Sequence, residues 1–307
     1  MEKKGVLKHA PPGYALGIIL CFYLISIGFA AAIAPAAQRL LLKLHANFPC
    51  NLSAYLVGKP VVKIFDRLNL LIFTAGIIPF SCTFRLFQRK AIGLHFWEWR
   101  CWLRYFFLGM GLSIGSILPP LFFTPWALKM CSLNEVLFRT FACAVVVSFL
   151  EEIIFRSCIL GVLRTAMQSA MAITFSSLFF AIVHFRPTAA SVGILSMPLS
   201  WKESFTIGYR CATEIFHSFH PIAFFNLFIL GCIFAIIRIR KGHLMASIGL
   251  HGGIVWMLLL FRKLIYWDGK CFFWNPAGPI DAPFATIILL LLLIYFHGQL
   301  ANKNIGA

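Results

Sequence analysis

Charge is what this sequence has least of. Of its 307 residues only 12% are Asp, Glu, Lys or Arg, and 10 acids stand against 27 bases; a soluble domain carries about 25% charged residues. Hydrophobic residues make up 60%, the mean hydropathy is +0.86, and several apolar runs exceed about 18 residues. Together these exclude an ordinary soluble domain and point to a polytopic helical membrane protein. The formal net charge of +17 does not make the chain a nucleic-acid binder, because the bases sit in short loops between apolar runs rather than on one amphipathic face. They read as topology signals and as contacts to anionic lipid headgroups.

Known catalytic and nucleotide signatures are also missing. There is no P-loop or Rossmann motif, no GxSxG elbow and no HExxH. The ten cysteines include no CxxC pair and no zinc-finger spacing, which argues against a structural zinc held by cysteine. No inverted repeat of the transporter kind is visible.

What is present is a series of apolar spans, near 13–37, 68–84, 103–125, 136–163, 168–185, 221–238, 243–261 and 283–299, about eight in all. Small residues from Ala30 to Ala37 resemble a signal-peptidase site, a competing reading of the first span, but the run is long enough for an uncleaved anchor. Counting Lys and Arg in the loops places both termini in the cytoplasm, with the densest cluster at Arg85, Arg89, Lys90, Arg100 and Arg104. Cys50, Cys131, Cys211 and Cys271 fall in the four loops on the opposite side, where an oxidising compartment would allow one or two disulfides. The connection from Arg186 to His220 is long enough for an interfacial or re-entrant segment. Within it, Glu214, His217 and His220 drift around a helix and are read as a solvated segment rather than a metal site. Trp97, Trp99 and Trp102 beside Arg100 and Arg104 read as an interfacial belt. The organisation divides as 1–135, N-terminal spans; 136–263, a core carrying the polar motifs; and 264–307, a loop and last span.

The fourth span holds Ser148-Phe149-Leu150-Glu151-Glu152-Ile153-Ile154-Phe155-Arg156. Each ionisable group in such a helix costs about 2.5 to 3.5 kcal/mol, so three within six residues require a reason. Glu152 and Arg156 are i,i+4 with the acid first, the favourable order for a helical ion pair. Glu151 points about 100° away and has no base within a turn, so it is expected to face a cavity as an unpaired, desolvated carboxylate suited to general-base work. The competing reading is a buried salt-bridge cluster that only fixes packing.

Phe180 and His184 lie on the next span, and counting about 1.5 Å per residue from the turn between the two helices brings Glu151 and His184 to similar depth. His251 lies on the seventh span among Gly249, Gly252 and Gly253, which allow close helix approach. The same count leaves it about 10 Å off the glutamates' level, unless the intervening turn projects from the membrane or a helix bends.

Glu-Glu-x-x-x-Arg, Phe-x-x-x-His and a later His in a glycine-containing helix, on three successive motif helices over roughly 136–263, resemble the CAAX protease and bacteriocin-processing (CPBP) intramembrane protease family, which includes the type II CAAX prenyl endopeptidases. The resemblance implies an all-α fold of about eight transmembrane helices enclosing an intramembrane catalytic cavity. It also implies hydrolysis of a peptide bond in a membrane-associated protein or peptide. By that resemblance Glu151 is the general base, His184 orients the water or the tetrahedral intermediate, His251 contributes to the oxyanion site, and Glu152, Arg156 and Phe180 support them. Two histidines and a carboxylate also match the three-ligand pattern of catalytic Zn²⁺ or another divalent metal; Glu151, His184 and His251 would be the ligands, and the residues do not separate that site from a metal-free one. The implied setting is a bacterial-type inner membrane.

The chain departs from the family at Val255, four residues after the last histidine, where an asparagine or aspartate is usual. Valine offers no donor to an oxyanion, a loss typically worth about 10² to 10³ in rate; Asn226 on a neighbouring span is a candidate substitute. Val255 also favours the alternative that the chain is a non-catalytic membrane scaffold or immunity-type binding protein. A proton-relaying transporter is the third reading.

Overall fold

In the computed structural model, the described residues are 12–50, 61–83, 93–123, 125–185, 199–213, 219–267 and 283–304. They are mostly helical, as their hydropathy requires, since a lipid-exposed backbone must satisfy its own polar groups. Five helices are long and apolar enough to cross a membrane: Gly13–Asn47, Lys63–Ser81, Phe96–Leu118, Pro221–Lys241 and Met245–Leu264. Ser169–Val183 and Pro283–Gly298 are shorter apolar helices.

The helices are α1 (Pro12–Asn47), α2 (Val61–Thr83), α3 (Trp99–Phe123), α4 (Leu133–Glu152), α5 (Leu160–Ala166), α6 (Ser169–Val183), α7 (Trp201–Thr213), α8 (Pro221–Lys241), α9 (Met245–Leu264) and α10 (Pro283–Asn304). They fall into two compact units, Ser81–Ala181 with His220–Ala307, and His9–Phe80 with Ile182–Phe219.

In the first unit α9 is the central element. Gly249 and Gly253 lie against α3 so closely that a Cβ on either would come 2.3 Å from the Trp102 carbonyl oxygen and 2.0 Å from that of Phe106. Gly109 of α3 returns the contact, its Cβ position lying 2.3 Å from the Leu250 oxygen. Only glycine permits this backbone-on-backbone crossing. The other side of α9 packs on α4, where the Cβ position of Gly252 lies 3.1 Å from Ser148 Oγ. Gly242, at φ +74°, closes α8 in the left-handed conformation and donates its N–H to the Arg238 carbonyl, the usual glycine helix stop. Beyond α3 and α9, a short antiparallel ladder pairs β1 (Trp126–Leu128) with β2 (Ile265–Trp267) in the register Ala127 to Tyr266, a small β element that an all-α reading omits.

The fourth span is not one continuous α-helix. α4 ends at Glu152 and the chain runs through a π-helical stretch, Ile153–Ile159, before α5. A π stretch shifts the carbonyl ladder, and in an apolar interior each displaced group needs a partner. The Phe155 carbonyl keeps one within the stretch, the Leu160 N–H, and also accepts the Ser176 hydroxyl of α6 at 3.3 Å.

In the second unit α1 runs unbroken through Pro35. Its small residues Ala30, Ala31 and Ala34 are buried; Ser204 of α7 donates to the Ala31 carbonyl at 2.6 Å and Gly208 packs on the Ala31 methyl. Ser26 of α1 bonds Asn69 of α2 at 2.6 Å. The 186–220 connection therefore contains an amphipathic helix, α7. Its start is fixed by Ser200 and Glu203, which bond each other's backbone N–H groups in a capping box. Cys211 is buried within this helix rather than in a loop, Cys131 is a free exposed thiol, and Cys271 lies outside the described residues. Of the Glu214, His217 and His220 series, the first two also lie outside them. His220 caps α8, its Nδ1 accepting from the Ala223 N–H at 3.4 Å.

Candidate active site

The last turn of α4 delivers Glu151 and Glu152, the π stretch delivers Arg156, and α9 delivers His251 against all three. Glu152 Oε1 lies 3.1 Å from His251 Nδ1, and Glu151 Oε2 lies 3.9 Å from His251 Nε2. The imidazole thus stands between two carboxylates. This corrects two expectations. Glu151 is not an isolated carboxylate but the neighbour of His251, and it is the more open of the two acids, its side chain 22% exposed against 0% for Glu152. The 10 Å depth offset expected for His251 also disappears. Packing of α4 on α9, and not the residue count along each helix, sets their level.

The i,i+4 pair of Glu152 and Arg156 is present, with Arg156 Nε 3.5 Å from Glu152 Oε2 and both side chains fully buried. Glu152 therefore serves two partners, the guanidinium through one oxygen and the imidazole through the other. Because a carboxylate only accepts, the tautomer that bonds it carries its proton on Nδ1.

Aromatic rings complete the enclosure. The Arg156 guanidinium carbon sits 4.6 Å from the Phe180 ring centre, 5.2 Å from Phe234 and 5.7 Å from Phe155. Each ring face offers partial negative charge to a cation that has lost its water. Phe234 also stacks on His251 at 4.8 Å between ring centres, and Phe180 meets the same ring edge-on at 6.1 Å. Phe234 is the residue that sequence reasoning missed. In a chain with 33 phenylalanines nothing local distinguishes it, and only the α8–α9 hairpin brings it over the imidazole.

His184 follows α6 by one residue, is exposed, and belongs to the second compact unit. Asn226 is fully buried in α8, and Val255 is half-buried on α9. Among the described residues no three His, Cys, Asp or Glu side chains converge as a metal-ion ligand set. Glu151 and His251 supply two donors of the three the zinc pattern needs, so no chemical step is routed through a metal below.

Residues 133–257 match the family model described as type II CAAX prenyl endopeptidase Rce1-like. Over this segment the chain is similar to the CPBP, CAAX-protease family. The CPBP match contains both glutamates, Arg156, Phe180, His184 and His251. No curated protein and no solved structure matches the chain.

Proposed function

We propose that this protein is an intramembrane endopeptidase that hydrolyses a peptide bond of a membrane-associated protein or peptide with a water activated by Glu151. The observation that carries this reading is the imidazole held between two carboxylates. With its Nδ1 proton committed to Glu152, the Nε2 lone pair of His251 faces the Glu151 carboxylate, and two acceptors 3.9 Å apart repel unless something donates to both. A water does so with its two O–H groups, which leaves an oxygen lone pair directed outward for attack. As that oxygen bonds the scissile carbonyl carbon, Glu151 takes the proton and passes it to the departing amine nitrogen. Glu152 is then a positioning residue for His251, and Arg156, itself packed on Phe180, orients Glu152. This moves His251 from the oxyanion role to water positioning. Asn226 is the candidate oxyanion donor in place of the one Val255 lacks.

In the membrane, the five candidate spans, the two shorter apolar helices and the composite α4–π–α5 segment would make the eight expected, with both termini cytoplasmic in a bacterial-type inner membrane. Val255 keeps a second reading in play, a non-catalytic membrane protein that binds a peptide or partner without cleaving it.

Incubation of the purified protein with a library of membrane-proximal peptides tests both. The peptidase reading expects cleavage that Glu151→Ala abolishes and Val255→Asn raises, by up to about 10²-fold if an oxyanion donor is restored. Retained cleavage in Glu151→Ala would overturn the mechanism, and peptide binding without cleavage in every variant would establish the second reading.

A further inference from the structure

At the end of the first unit where α5 and α8 terminate and α3 begins, the described residues gather six cations, Arg100, Arg104, Arg164, Arg238, Arg240 and Lys241. Of the described acids in this unit, Glu135 is paired with Arg139 and Glu152 with Arg156, and Glu151 faces His251. Glu98 alone is left to act at this end, where it is felt by His243. His243 adds no charge at neutral pH: burial, aided by His95, Lys241 and Arg238, pushes its imidazole below the usual histidine range.

Two of these cations are set against each other. Arg238 is half-buried in the last turn of α8 and lies within electrostatic range of Arg164 in the last turn of α5. The Arg238 guanidinium is roofed by Gly93, whose φ is +71° and whose Cβ position would fall 2.9 Å from Arg238 Cζ. That roof is tied down where the Gly93 carbonyl accepts the Leu244 N–H at 2.7 Å. A built backbone thus holds one arginine within electrostatic range of another, and two like charges so placed favour an anion beside them.

We propose that this rim binds the phosphate headgroup of an anionic phospholipid, with Arg164 and Arg238 as its two sides. The flanking surface identifies the source of the phosphate. Phe96, Trp97 and Trp99 are largely exposed, Trp97 at 73%, immediately where the Phe96–Leu118 candidate span begins. Arg100 lies over the Trp99 ring and Lys241 over Tyr105. Exposed tryptophans at a span end mark headgroup level, and basic pockets between transmembrane helices take anionic headgroups there. A free phosphate would use the arginines but not the aromatics.

The test uses the full-length protein, purified and delipidated in detergent, with its melting temperature and the lipid retained in native mass spectrometry as readouts. Phosphatidylglycerol is expected to raise the melting temperature and to remain bound as one or two molecules, while phosphatidylcholine and inorganic phosphate do neither. Arg164→Gln and Arg238→Gln should each weaken phosphatidylglycerol retention about fivefold, whereas Arg262→Gln with Lys263→Gln, at the far end of α9, should leave it unchanged. Equal stabilisation by phosphatidylcholine, equal stabilisation by inorganic phosphate, or full retention in the Arg164→Gln and Arg238→Gln variants would each overturn the proposal. Arg164 is exposed in the last turn of α5, so its single variant keeps the test decisive should Arg238→Gln fail to fold.

Discussion

Arg156 carries a full charge into a position with no access to water, and its partners are what make that tolerable. Glu152 offsets the charge at 3.5 Å, and three phenylalanine rings close over the guanidinium in place of solvent. Removing one member of a buried pair leaves the other uncompensated, which costs about 3 to 5 kcal/mol. Arg156→Leu should therefore lower the thermal midpoint of the purified protein by many degrees, whereas Glu151→Gln, at the partly open acid, should move it little. Comparable midpoints for the two variants would show that Arg156 is not the structural half of the cluster. Phe234→Ala removes a ring shared by Arg156 and His251, and truncating a buried phenylalanine costs about 3 to 5 kcal/mol. The i,i+4 relation of Glu152 and Arg156 is legible in the sequence because both lie on one turn. The Glu152 contact to His251 is not, because those residues are 99 apart and meet only through the packing of α4 on α9.

Two elements set the geometry of the site, and they differ in legibility. The glycines of α9 announce a close helix approach, and the crossing with α3 supplies it. Their partner Gly109 and the identity of the facing helix could not be read, since one glycine among 22 carries no address. Gly253→Leu would drive a side chain into the Phe106 carbonyl oxygen, so it should abolish folded, monodisperse protein. Gly28→Ala in α1, with nothing within 4 Å of its Cβ position, should leave the midpoint unchanged or raise it slightly, as alanine favours helix by up to about 1 kcal/mol. Size-exclusion profiles and thermal midpoints of the two variants check this, and a well-behaved Gly253→Leu would contradict the crossing. The π stretch had no legible signal at all. Its residues are those of an apolar helix, and the Ser176 hydroxyl that joins the Leu160 N–H on the Phe155 carbonyl comes from another helix.

At the scale of the whole molecule, the membrane class follows from composition alone, because apolar runs of this length have no stable place in water. The span boundaries were less legible. α1 extends to Asn47 through Pro35, and α7 lay hidden in a connection whose polar residues gave a weak helical signal. Orientation rests on local density of Lys and Arg, which leads to a sidedness test. In sealed inside-out vesicles a membrane-impermeant maleimide should fail to modify Cys131, located by peptide mapping, and should modify it in right-side-out vesicles. The reverse pattern would invert the topology and place the basic rim in the outer leaflet.

The central claim is that Glu151 and His251 act on one and the same water. A double-mutant cycle on kcat/KM for a cleaved peptide, using Glu151→Gln, His251→Gln and the pair, tests it most directly, because groups that act as a unit are strongly non-additive. The account predicts that each single variant loses about 10³-fold or more and that the double variant is scarcely worse than either. Losses that multiply in the double variant, or a Glu151→Gln protein that cleaves at close to the unmodified rate, would contradict it.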